Sequence, residues 1–497
     1  MNIKEAKQEI IHTVQAYLRK DETGAYRIPM EKQRPIFMLG VPGIGKTAII
    51  EQVAEELNLN LVSYTITHHT RQSAIGLPYI SRREYGGQEY SVTEYTMSEI
   101  LAAVYDSIAR SGVREGILFL DEINCVSETL SPTMLQFLQY KTFGMHHVPE
   151  GFVIVTAGNP PEYNRSVRDF DIATLDRVRL LRVDEDFGVW KEYAYRAGIH
   201  GAVLAYLEIK KDHFYRVQQE IEGKRFVTAR GWEDLSRILQ VYEEMKLPIT
   251  EELVSEYVAD REIARDFALY YELYQKYRNK YRIPEILGGS FPEDTTTILN
   301  APFDEKLSLL SLLLDSLNRS FRRYAEDRNV YRLVFSELKS IRAMAKEGQE
   351  VRTLLRSTIE ERVRRREARK RTKTLDRTEE RLESLSQSLL EELERELVTQ
   401  GEYSFDFLKA CFEEREAERQ RQIRESGDRL TNAFEFIRRT FGEGQELVLF
   451  LSELSSAYYS LQFLSEVGND AYYKYNRYLL MQDRKTELRR EIEEMLL

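Results

Sequence analysis

Gly40-Val41-Pro42-Gly43-Ile44-Gly45-Lys46-Thr47 satisfies the spacing G-x-x-x-x-G-K-[ST] at every fixed position. Glycines let the backbone turn so that successive N–H groups converge on one point. A helix starting there adds its unpaired N–H groups and the positive end of its dipole, so the segment is built to cradle a phosphate. Lys46 adds a mobile charge for the β- and γ-phosphates, and the Thr47 hydroxyl is a ligand for Mg²⁺. Gly40, Pro42, Gly43, Ile44, Gly45, Lys46, Thr47 and Ala48 are therefore the candidate nucleotide-binding residues.

Four further groups could complete a hydrolytic site. Ile117 to Leu120 is an apolar run that ends in Asp121-Glu122. Asp121 can hold the Mg²⁺ shell beside Thr47, and Glu122 can polarise a water for in-line attack on the γ-phosphate. Thr156-Ala157-Gly158-Asn159-Pro160-Pro161 is a turn-forming strand end whose Asn159 can orient that water or contact the γ-phosphate. In Leu175-Asp176-Arg177-Val178-Arg179, Arg177 is the better candidate and Arg179 the reserve for an arginine reaching a neighbouring subunit's nucleotide; a surface ion pair with Asp176 or Asp184 is the alternative. In Val227-Thr228-Ala229-Arg230-Gly231-Trp232, Arg230 starts a helix, where the dipole disfavours it. A γ-phosphate contact that closes a lid would account for its place; packing beside Trp232 is the plainer alternative.

These residues need elements to hold them. The apolar runs 35–39, 61–66, 116–120, 151–156 and 180–183 read as strands, and 2–18, 48–57, 98–110 and 129–139 as amphipathic helices. Alternating strands and helices predict a parallel sheet covered on both faces, with ligands beyond the carboxyl ends of its strands. Residues 71–95, with Gly86-Gly87 and several tyrosines, predict an inserted β-hairpin. Strand signals stop near residue 190. The expected organisation is an α/β core over 1–186, an all-α lid over 187–290, a linker within 283–303, and an all-α C-terminal domain of long helices over 304–497. Val351, Leu355, Ile359 and Val363, and Leu382, Leu385, Leu389 and Leu393, form apolar stripes suited to a helical hairpin or coiled coil.

The chain has 497 residues, enough for several domains. Its net charge of −11 speaks against a general nucleic-acid binder. No apolar run approaches a membrane span, and the charged N-terminal segment does not read as a signal peptide. Cys125 and Cys411, far apart in sequence, give no disulfide framework, so a reducing, cytoplasmic location is expected. The pairs His68-His69 and His146-His147 lack companions at metal-ligand spacing and read as loop residues. The basic run from Arg362 to Lys373 reads as a charged face that the acidic runs after it can neutralise. Tyr472, Tyr473, Tyr475 and Tyr478 read as core or interface residues.

Together these motifs resemble the AAA+ ATPase superfamily and, within it, the MoxR-type family. The resemblance runs over about residues 30–290. Gly40–Thr47 looks like Walker A, Leu118–Glu122 like Walker B, Asn159 like sensor 1, Arg177 like the arginine finger and Arg230 like sensor 2. At Arg179 many relatives carry Phe instead. The resemblance implies ATP and Mg²⁺ as ligands and a hexameric, chaperone-like ATPase. Such proteins often act on a protein client, among them partners carrying a von Willebrand factor A domain. The chain's own residues leave two other readings in view: a nucleotide-gated scaffold, against which Asp121-Glu122 argues, and a nucleic-acid motor, which the acidic balance disfavours.

Overall fold

The strand-forming runs appear in chain order as β1 (Ile36–Gly40), β2 (Asn60–Thr65), β3 (Pro78–Tyr85), β4 (Gln88–Tyr95), β5 (Gly116–Asp121), β6 (Thr142–Phe143), β7 (His146–His147), β8 (Phe152–Gly158), β9 (Arg179–Val183), β10 (Arg216–Glu220) and β11 (Gly223–Val227). The computed structural model of the protein describes residues 1–68, 74, 76–163, 167, 170–220, 223–292, 295–371 and 377–477. Its chain divides into two units, Met1–Lys191 with Lys210–Ala268, and Glu192–Ile209 with Leu269–Leu497.

In the first unit, five strands form one sheet in the order β2-β5-β8-β1-β9, every neighbour parallel. The pleat sends alternate residues to opposite faces. Ile36, Met38, Ile117 and Phe119 meet Ile10, Val14, Ile50 and Val53 of the helices Ile3–Tyr17 and Lys46–Glu56. Phe37, Leu118 and Leu120 meet Leu101, Val104, Met134 and Phe137 of the helices Glu99–Ser111 and Ser131–Tyr140. Burial on both faces explains why the strands read as unbroken apolar runs. Side-chain caps start the helices at the expected places: Asn2 Oδ1 accepts from the Glu5 N–H, and Ser98 Oγ from the Leu101 N–H.

Three expectations change. First, the region read as an all-α lid contains the antiparallel hairpin β10–β11, with Arg216 opposite Val227. Its strands are five residues each and rich in charge, so no apolar alternation marks them. Second, His146-His147 is a strand of the small hairpin β6–β7, not a loop; His69 lies outside the described residues. Third, 283–303 is more than a linker. It holds the helices Ile283–Leu287 and Thr296–Leu299, which bury Ile283, Ile286, Leu287 and Ile298. Pro284 sits in the first helical turn, where its missing N–H costs nothing. The insertion hairpin does form as β3–β4 around Gly86-Gly87; residues 69–73 and 75 lie outside the described residues.

The second unit is helical in its described parts. Val334, Leu338 and Ile341 of the helix Phe303–Lys346 pack with Leu355, Ile359, Leu390, Leu393 and Leu397. The basic run is paired from its neighbours. Arg362, only 5% exposed, meets Glu337 at 2.7 Å and Glu383 at 3.2 Å. Arg369 and Lys370 meet Glu379 and Glu380 on the following helix. Lys373 and Tyr478 lie outside the described residues. No single helix among the described residues is long and apolar enough to cross a membrane.

Lys141 ties the segment before β1 to the helix Ser131–Tyr140. It occupies the left-handed C-cap of that helix (φ 58°), and its buried ammonium donates to the carbonyls of Met30 and, at 2.6 Å, Gln33. Burial pushes its pKa from 10.5 down to about 8, against the pull of Glu31. Between these values the unfolded chain binds more protons than the folded one, so stability must rise with pH there and be flat below it. Urea titrations from pH 7 to 10.5 should show the wild type gaining stability relative to Lys141→Met above pH 8; a constant or falling difference would contradict this.

Candidate nucleotide-binding site

The loop Gly40–Thr47 follows β1 and leads into the helix Lys46–Glu56. Its glycines are required by geometry. A Cβ on Gly40 would lie 2.7 Å from the Val183 carbonyl of β9, and Gly43 and Gly45 have φ of +77° and +93°. Gly45 caps the helix without a side-chain acceptor, which leaves the first-turn N–H groups facing a ligand position.

Lys46 is the most constrained member. Its Nζ donates to the Gly40 carbonyl at 2.7 Å, the Val41 carbonyl at 2.9 Å and Asn159 Oδ1 at 2.9 Å. An ammonium has three protons, and all three are placed. Burial lowers the Lys46 pKa from 10.5 to about 8; Asp121 and Glu122 oppose that, while Arg230 adds to it. Thus the ends of β1 and β8 and the helix Ala229–Met245 all act on this one nitrogen.

The acidic pair stands alongside. Thr47 Oγ1 donates to Asp121 Oδ2 at 3.0 Å, and Asp121 Oδ1 accepts from the Glu122 N–H at 2.9 Å. Glu122 is left-handed (φ 56°), a conformation that costs a non-glycine residue about 1–3 kcal/mol and is retained where the surroundings enforce it. It turns the carboxylate toward Thr67, whose hydroxyl donates to Glu122 Oε2 at 2.9 Å. Thr47 and Asp121 offer a hydroxyl and a carboxylate side by side, an all-oxygen set suited to Mg²⁺, which keeps several waters and needs few protein ligands. Among the described residues no group of three or more His, Cys, Asp or Glu could hold a metal.

Asn159 follows β8. Its carbonyl accepts from Asn124 Nδ2 at 2.8 Å, and Asn124 is 4% exposed. Gly158 makes room for that side chain, since a Cβ there would lie 2.3 Å from Asn124 Oδ1. Asn124, Thr67, Thr228 and Tyr215 were not among the sequence candidates. Asn124 could have been noticed as a polar residue between Ile123 and Cys125, and Thr67 as a hydroxyl just past β2.

Arg177 and Arg230 are placed differently. Arg230 is the second residue of the helix Ala229–Met245 and acts on Lys46. Its helix is capped by Thr228 Oγ1, which accepts from the Gly231 N–H at 3.2 Å. Arg177 is exposed and stands outside the Lys46 cluster, in a groove lined by Pro132, Gln136, Asp171 and Thr174. Arg179, the reserve, is held by Glu9 Oε2 at 2.6 Å. Asp176 faces Arg34 at 3.8 Å and Asp184 faces the Met1 amino group. Neither Asp176 nor Asp184 is paired with Arg177; among the described residues its charge acts on Asp171, which lines the same groove.

Because phosphate needs the charged lysine, nucleotide affinity depends on a proton that Lys46 loses near pH 8. Equilibrium titration with ADP should show affinity level from pH 6.5 to 7.5, then falling toward tenfold per pH unit above 8. Affinity level to pH 10 would contradict the placement of this charge.

No curated protein matches the chain. Residues 35–178, from the start of β1 to just before β9, match the family described as AAA domain (dynein-related subfamily). The matched segment contains the loop, Asp121-Glu122, Asn159 and Arg177, so the match supports an AAA+ ATPase domain over residues 35–178.

Proposed function

We propose that this protein is a MoxR-type AAA+ ATPase that hydrolyses ATP at the junctions between subunits of a homo-hexameric ring and uses the cycle to remodel a protein client. A partner carrying a von Willebrand factor A domain is the kind of client this reading names, and the cytoplasm is its expected place. The observation that carries the reading is the meeting of Lys46, Thr47, Asp121, Glu122 and Asn159 at the carboxyl ends of β1, β5 and β8.

The contacts support the following roles. Loop N–H groups and Lys46 hold the β- and γ-phosphates. Thr47 and Asp121 would hold Mg²⁺, which when bound neutralises charge on the β- and γ-oxygens. Glu122 accepts a proton from water as its oxygen attacks the γ-phosphorus, and the bond to the β,γ-bridging oxygen breaks to leave ADP and phosphate. Its Thr67 contact must loosen for that, which makes the Glu122 carboxylate a point of control. Asn159 orients the water or the γ-phosphate, and Arg230 closes over it from the lid. Arg177, exposed and free of Asp176 and Asp184, supplies positive charge to the adjacent subunit's γ-phosphate.

Glu122→Gln should retain ATP binding and lose at least about a hundredfold in turnover. Arg177→Ala should lose about a thousandfold or more. Mixing Arg177→Ala with Lys46→Ala subunits should restore part of the activity, at junctions that keep both groups. Phosphate release, measured with the oligomer checked by light scattering, decides the matter: full activity in an Arg177→Ala oligomer, or none regained on mixing, would overturn the intersubunit assignment.

A further inference from the structure

The hairpin β10–β11 stands on the phosphate loop with both of its feet. Tyr215, the residue before β10, donates its hydroxyl to the Pro42 carbonyl at 3.2 Å. Thr228, the residue after β11, packs on Gly43, where an added Cβ would lie 2.9 Å from Thr228 Cβ and 3.0 Å from its Oγ1. Pro42 and Gly43 are consecutive, and Arg216 and Val227 pair directly above these two contacts.

The base of the hairpin is also fixed from behind. Trp232, fully buried, donates Nε1 to the carbonyls of His213 and Phe214 at 3.2 Å, immediately before Tyr215. Arg216 meets the buried carboxylate of Asp260 at 3.5 Å, and the Phe226 N–H donates to the Ala259 carbonyl. Thr228 in turn caps the helix that carries Arg230. Hairpin, helix start and loop are therefore one mechanical piece.

We infer that Tyr215 is a positioning residue for the nucleotide site, and that β10–β11 is a lever whose attitude sets the phosphate loop. Holding the Pro42 carbonyl outward leaves the loop N–H groups turned to the phosphate. By linkage, a nucleotide that fixes the loop must fix the hairpin, and a partner that displaces the hairpin must weaken nucleotide binding by the same factor. This rests on the nucleotide-binding reading above.

Tyr215→Phe removes the hydroxyl and keeps the ring, so the fold survives and a thermal melt confirms it. Its ADP dissociation constant should rise about two- to tenfold, the range carried by one hydrogen bond. Amide exchange adds a readout that a merely structural role would not move. ADP should slow exchange in 216–220 and 223–227 of the wild type, and slow it less in saturated Tyr215→Phe. Wild-type affinity in Tyr215→Phe, or hairpin exchange in the wild type that ADP leaves unchanged, would overturn the lever while leaving the nucleotide site intact. No ADP binding by the wild type would overturn both.

Discussion

One charge organises this site. Lys46 must stay protonated to meet a polyphosphate, yet it sits where burial favours the neutral amine. A lysine whose pKa falls from 10.5 to about 8 carries on the order of 3 kcal/mol of unfavourable surroundings for its charge. The protein offsets this with two loop carbonyls and the Asn159 side chain. Those acceptors come from the ends of β1 and β8, which are paired neighbours in the sheet, so the strand order is what brings them to one nitrogen. A phosphate can replace such neutral acceptors with full negative charge.

The same economy governs the acidic side. Thr47, Asp121 and the Glu122 backbone satisfy one another, while Thr67 holds the Glu122 carboxylate. Thr47, Asp121 and Glu122 are thus each occupied by a neighbour that substrate can displace. Arg177 is the exception: it is exposed, and Arg179, Asp176 and Asp184 are each held elsewhere.

Much of this was legible in the sequence because local patterns sufficed. The loop, Asp121-Glu122 and Asn159 each end an apolar run, and parallel pairing gathers strand ends. Arg230 could be singled out because a helix N-terminus repels it. What escaped were contacts that cross the chain. Asn124 matters through Gly158, thirty-odd residues on, and Thr67 through Glu122, just past the end of β5. The hairpin β10–β11 escaped because charge-rich five-residue strands carry no apolar period, and its anchoring depends on Asp260, Trp232 and Pro42. The basic run shows the reverse case: the acidic run that follows it in sequence supplies Glu379 and Glu380, the partners seen for Arg369 and Lys370.

Nucleotide phosphate should take over the partners of Lys46. The most direct measurement is a structure of the Glu122→Gln protein with MgATP bound. Lys46 Nζ should lie within hydrogen-bonding distance of a phosphate oxygen and be withdrawn from the Gly40 and Val41 carbonyls. Nucleotide bound with Nζ still on those carbonyls, or seated away from Gly40–Thr47, would contradict it.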